Sequence, residues 1–202
     1  MSEEFDAYNF DYKSYMLETY GLTESPIMYR DYTIALDDWI ANSGEAVKIE
    51  KDSNLIGHHK YGSFTFRIYQ KIEEDNIFIN LMEEHEPTIH LYHSYSEIKL
   101  DHFNGIVNHS IWNSRNFRGL ARDWIFNNIL KNYECVMSDG VHTPKGKWYW
   151  EKLFLEAFSK KFKCGIIDMK NNNQFTEIKS KEEVYQYYGD GKANIRLIIF
   201  RK

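Results

Sequence analysis

Proline is scarce in this chain, with 3 among 202 residues, so no proline-rich linker separates independent parts. Two cysteines, Cys135 and Cys164, are too few for a disulfide framework or a cysteine zinc site. There is no basic excess: 25 Lys and Arg stand against 30 Asp and Glu, a net charge of -5. That balance argues against a general nucleic-acid coat, which must neutralise phosphates, and nucleic acid is not expected as a partner. No apolar run approaches the ~20 residues that span a bilayer. The opening Met1-Ser2-Glu3-Glu4-Phe5-Asp6 is acidic and lacks the basic and apolar regions of a signal peptide. These absences lead to the expectation of a soluble, cytoplasmic protein with no membrane partner. What is present is ordinary for a globular chain, 43% hydrophobic and 27% charged, and long enough for one large domain or one domain with a subdomain.

The texture changes along the chain. Residues 1–45 are rich in Tyr and acidic side chains and read as an N-terminal helical extension. Helices are expected over Tyr12–Tyr20 and Thr33–Asn42, with Ser43-Gly44 as the stop of the second. Residues 46–202 read as the main domain. His58-His59 reads as loop. From Tyr61 onward strands are expected: Phe64–Lys71 alternates with period 2, Glu73–Asn76 turns, and Asn76–Met82 returns. Thr88–Tyr95, Glu97–Leu100 and Gly105–Trp112 follow. Short connections favour an antiparallel meander. Then the period switches. Gly119–Asn132 is helical, Cys135–Met137 a short buried strand, and Thr143-Pro144 the capped start of a second helix. A strand over Cys164–Met169, a capping box at Ser180–Glu183 and a last strand Ile195–Phe200 complete an α+β pattern.

The most informative segment is Asn113-Ser114-Arg115-Asn116-Phe117-Arg118-Gly119-Leu120-Ala121, between a strand and a helix. The first turn of such a helix carries free N–H groups and a positive dipole end, which together favour an anion such as a pyrophosphate. Gly119 permits close backbone approach, Ala121 keeps the next turn uncrowded, and Arg115 and Arg118 add charge.

The order of strand, Arg-Gly-Leu-Ala loop, helix, strand and capped helix resembles the GNAT superfamily of acetyl-CoA-dependent N-acyltransferases. The family loop, Gln/Arg-x-x-Gly-x-Gly/Ala, is matched by Asn116-Phe117-Arg118-Gly119-Leu120-Ala121, with Asn116 departing at the first position. A second motif, Asn then Ala then an aromatic four residues later, falls on Thr143, Gly146 and Trp150. The aromatic is often a Tyr that protonates the departing thiolate, which an indole cannot do. The run Met137–Leu153, with Ser138-Asp139 and Trp150-Glu151-Lys152-Leu153, also resembles GNAT-like proteins of tailed bacteriophages. The resemblance spans residues 60–202 in element order, but its diagnostic residues lie around 113–153.

The resemblance implies a GNAT-like mixed sheet and an acetyl-CoA-dependent acyltransferase acting on a primary amine of a small molecule or protein, in a host cytoplasm if phage-encoded. It implies acetyl-CoA held by Ser110, Ile111, Asn116, Phe117, Arg118, Gly119, Leu120, Ala121, Ser138 and Thr143. A proton acceptor is also needed. His109 is on the implied strand and titrates near neutrality; Glu83 and Glu84 end a neighbouring strand; Tyr149 precedes Trp150. The departures at Asn116 and Trp150 fit the alternative of a non-catalytic GNAT-fold protein that binds a host protein or serves as a virion component. His85, His90 and His93 beside Glu83, Glu84 and Glu86 match no recognised metal spacing. Lys145, Lys147, Lys152, Lys160, Lys161 and Lys163 form a basic region that reads as a solvated helix face, with a phosphate as its possible ligand.

Overall fold

The computed structural model describes residues 43–85, 88–100, 103–139, 144–171, 173–187 and 194–201. The helices expected over Tyr12–Tyr20 and Thr33–Asn42 lie outside these residues. Contacts divide the chain into two units, one holding the elements up to His90 except residues 72–77, the other holding those residues and everything from Leu91.

In the first unit, helix α1 covers Ser43–Asp52. Ser43-Gly44, expected to end a helix, opens this one instead. Serine and glycine suit helix starts as well as stops, and Ala46 and Ile49, three residues apart on one face, are buried. Strand β1 spans Asn54–Tyr61, β2 Phe64–Glu73 and β3 Asn76–Glu83, in the order β1-β2-β3. β1 corrects the loop expected at His58-His59. Its pattern is masked because Leu55 and Ile56 are exposed and a bulge between Leu55 and Gly57 breaks the register. Pairing with β2 makes it a strand, closed by a tight turn in which Gly62 has φ +59. β2 follows its alternation at the centre, where Phe66 and Ile68 are buried and Arg67 between them pairs with Glu50 of α1 at 2.7 Å, but Phe64 on the apolar face is exposed and Tyr69 on the other face is buried.

The second unit carries the helices and the remaining strands. β4 is Ile89–Leu100, with its first two residues in the other unit, and β5 is Phe103–Asn113. The two segments expected around Ser96 are therefore one strand. A 3₁₀ turn, Arg115–Phe117, leads into α2, Leu120–Trp124, which continues through a π turn, Ile125–Ile129, into α3, Leu130–Asn132. β6 is Cys135–Ser138, α4 Pro144–Ser159, β7 Lys163–Asp168, β8 Gln174–Glu177, α5 Lys181–Tyr185 and β9 Ile195–Phe200. The strand order is β4-β5-β6-β9-β7-β8. β5 and β6 run parallel, as a strand-helix-strand crossover requires, whereas β4–β5, β6–β9, β9–β7 and β7–β8 are antiparallel. The expected α+β class and the parallel placement of 135–137 beside 105–112 both hold. β8 was not expected, because Gln174 and Glu177 flank only Phe175 and Thr176 and give no apolar alternation.

The expected capping box does not form, although the short helix it was expected to open is there. Glu183 accepts a bond from the Lys179 backbone N–H at 3.0 Å, one residue earlier than a box requires, and the Ser180 hydroxyl makes no cap bond. Helix α4 buries Trp150, Leu153, Phe154 and Ala157, the spacing of one helical face. Among the described residues no helix is long and apolar enough to cross a membrane.

Candidate functional site

The loop between β5 and α2 is built by one asparagine and one glycine. Asn113 Nδ2 donates to the carbonyls of Ser114 at 2.9 Å and Phe117 at 3.0 Å. Both bonds fold the chain back on the strand end, and the Phe117 ring is buried as an anchor. Gly119 then takes φ 93 at the N-terminal boundary of α2, a left-handed conformation that a side chain would strain. Leu120 and Ala121 turn inward and are buried, while Arg115, Asn116 and Arg118 are exposed. The Asp123 N–H bonds Gly119 O at 2.9 Å, continuing the helix. The loop thus sets a left-handed glycine at the start of a helical run, flanked by exposed arginines.

The strand feeding this loop is irregular where chemistry is expected. Ser94 faces Ser110 and Tyr95 faces Asn108, so His109 is the extra residue of a β-bulge. A bulge re-aims a side chain and increases local twist. Here His109 Nε2 lies 2.9 Å from Ser96 Oγ, and partial burial lowers its pKa, favouring the neutral ring that can accept a proton. Pairing with β6 ends at Asn108 opposite Ser138, while β5 runs on to Asn113. Ser110 and Ile111, half-buried, lie on that unshared stretch.

Behind the bulge is a polar chain that pattern reading missed. Trp124 Nε1 donates to His93 Nδ1 at 3.1 Å, and His93 Nε2 lies 2.9 Å from Asn108 Oδ1. An indole N–H can only donate, so Nδ1 must accept; the proton of the neutral ring then sits on Nε2 and is given to Asn108. His93 is fully enclosed and its pKa is pushed down to about 3, chiefly by burial. The chain ties β4, β5 and α2 together beside the bulge. No linear signal marks it, because its three members are brought together only by the strand register and the helix.

The other expected residues are dispersed. Ser138 is fully buried; its hydroxyl accepts the Leu197 N–H at 2.9 Å and donates to Asp139 O at 3.0 Å, holding β6 to β9. Thr143 lies outside the described residues. Trp150 is buried, 6.2 Å from the Phe154 ring centre. The Tyr149 hydroxyl is buried and has no hydrogen-bond partner among the described residues. Burial raises its pKa, offset in part by Arg122 and reinforced by Glu156. Those two residues pair at 3.0 Å and join α2 to α4. Glu84 belongs to the first unit, where its side chain is exposed and its N–H bonds Thr65 O at 3.1 Å. Glu83, also in that unit, lies 3.5 Å from His90 Nε2.

The basic run is not the single solvated helix face expected of it. Lys152 sits 5.7 Å from the Trp148 ring centre and Lys160 5.3 Å from that of Phe126, while Lys163 is on β7 over Phe175 at 4.7 Å. Lysine stems lie along aromatic surface while their ammonium groups stay near water. No protein-family model matches the chain, and no curated protein sequence matches it.

Proposed function

We propose that the chain is a GNAT-type N-acyltransferase that moves an acetyl group from acetyl-CoA to a primary amine. The observation that carries this reading is the end of β5. There a parallel partner strand stops at Ser138, a bulge projects His109, and an arginine-glycine loop opens a helix. Acetyl-CoA would supply an activated thioester. The loop from Asn116 to Ala121 would hold its pyrophosphate, and the backbone of Ser110 and Ile111, beyond the shared pairing, would receive its pantetheine amide. An acceptor amine must lose a proton as it forms the new bond, and His109, with its pKa lowered by burial, takes that proton. Water would supply the proton to the leaving thiolate, because the Tyr149 hydroxyl is enclosed and burial makes it a weaker acid.

A second reading is supported by Trp150, which stands at the usual acid position and is 2% exposed, and by the enclosed Tyr149 hydroxyl. It is a non-catalytic protein of the same fold that binds a host protein or forms part of a virion. The two readings part in one experiment: coenzyme A release from acetyl-CoA with polyamine, peptide and aminoglycoside acceptors. Release that depends on acceptor and on His109 supports the enzyme. No release with any of them, together with no acetyl-CoA binding in calorimetry, supports the binding protein.

A further inference from the structure

At the far end of β5 from the arginine-glycine loop, Phe103, Glu134, Lys163, Phe175, Phe200 and Arg201 line a cleft of about 420 Å³. That size lies within the range of small-molecule pockets. Eleven strand residues at ~3.3 Å each place it roughly 30 Å from the loop, so it does not depend on the transferase reading. Its floor is aromatic: Phe200 meets Phe103 edge-on at 5.0 Å and Phe175 at 5.3 Å between ring centres. Beneath Phe200 lie the buried Cys135, Met137, Ile167 and Ile198, which support that floor. Phe103 is 45% exposed, a large apolar surface left open at the cleft.

The charges around these rings are held in place. Lys163 Nζ sits over the Phe175 ring at 4.7 Å. Arg201 donates from its guanidinium to Lys131 O at 3.0 Å and from its backbone N–H to Glu134 O at 2.7 Å. Glu134 is the acidic side chain of the lining, and its carboxylate already accepts the Asn104 N–H at 2.8 Å. A ligand therefore meets two anchored cations and one carboxylate engaged with the backbone.

We propose that this cleft binds a small planar aromatic carboxylate. The ring lies against Phe103, Phe175 and Phe200, where offset or edge contacts are favourable, and the carboxylate turns toward Lys163 and Arg201, which form charge-assisted hydrogen bonds with it. Calorimetric titration of the full chain with 2-naphthoate, 2-naphthalenemethanol and 2-naphthylmethylammonium tests the proposal. Naphthoate should bind, the neutral alcohol roughly tenfold more weakly, and the ammonium more weakly still. Lys163→Gln, a change at an exposed position, should bring naphthoate part of the way down toward the alcohol's affinity, the rest being held by Arg201, and leave the alcohol unchanged. Phe103→Ser should weaken naphthoate and the alcohol alike. The proposal is overturned by no naphthoate binding at millimolar concentration, by equal affinity for acid and alcohol, by tighter binding of the ammonium, or by naphthoate affinity unchanged in Phe103→Ser.

Discussion

In the half of β5 that leads to the glycine loop, Asn108 at mid-strand is fixed through His93 to Trp124, and the next residue is bulged. At the other end, Gly105 lies against Cys135, and Phe103 and Phe200 pack ring on ring. The first end is specified by hydrogen-bond direction, which tolerates few substitutes and can hold a side chain at a set angle. The second is specified by volume, which leaves an apolar cleft wherever the rings do not meet. One strand thus supplies a polar, directional site and an apolar, shape-defined one, and the two should fail in different ways when altered.

The largest expected effect is on chemistry. If the polar end transfers an acyl group, His109→Ala should lower the acetylation rate ~100- to 10,000-fold while moving stability little, since the ring is only partly buried. His85→Ala, at an exposed position in the other unit, should leave the rate unchanged. A steady-state assay of both variants checks this, and equal rates in His109→Ala and the parent would remove the base from the account.

The apolar end should fail through sterics. A side chain at Gly165 would run into the Phe175 ring and the Thr176 carbonyl. Gly165→Ala should cost about 3 kcal/mol of stability in urea denaturation, because a paired strand cannot yield as a flexible side chain can. A loss below the error of the measurement would show that β8 moves freely away from β7.

The polar end should fail through an unsatisfied group. His93→Leu strands the Trp124 N–H and the Asn108 carbonyl in the interior, a loss of about 2 to 3 kcal/mol. It should also alter the pH dependence. The folded pKa of His93 is about 3, below the ~6.5 of an unfolded chain. Between those values the unfolded chain binds a proton that the folded one does not. His93 therefore makes stability fall as pH drops from about 6.5 toward 3, by up to ~1.4 kcal/mol per pH unit, and contributes no slope above that window. Denaturation at several pH values should show a shallower acid slope in His93→Leu. An identical slope would mean that His93 is not enclosed as a neutral ring.

The smallest effect is expected where a polar contact reaches solvent. The Tyr133 hydroxyl donates to Glu97 Oε1 at 2.6 Å on the surface, and Tyr133→Phe should cost no more than about 1 kcal/mol. A much larger loss would indicate that this contact, rather than the enclosed His93 chain, secures the sheet.

Much of this architecture was legible in the residues because it rests on local pattern. The apolar spacing of α4, the Gly119 loop and the run Ile195–Phe200 each carry their own signal within a few positions. What escaped depends on distant partners. β1 is a strand because β2 pairs with it, despite its bulge and exposed apolar side chains. The function of His93 is invisible until the register of β4 with β5 sets it beside Asn108 and α2 brings up Trp124. The bulge at His109 adds one residue to one strand only, so no periodicity within β5 announces it. Lys163 looked like part of a helix face because it follows Lys160 and Lys161, yet it begins a strand.

The central claim is that the polar end of β5 and its glycine loop hold acetyl-CoA. Denaturation of the full chain with and without acetyl-CoA, for the parent and for Gly119→Val, tests it most directly. At a concentration 100 times the dissociation constant the parent should gain about 2.7 kcal/mol, and Gly119→Val should gain none, because a β-branched side chain blocks the backbone approach. No gain in the parent at millimolar acetyl-CoA, or the same gain in both proteins, would contradict the account.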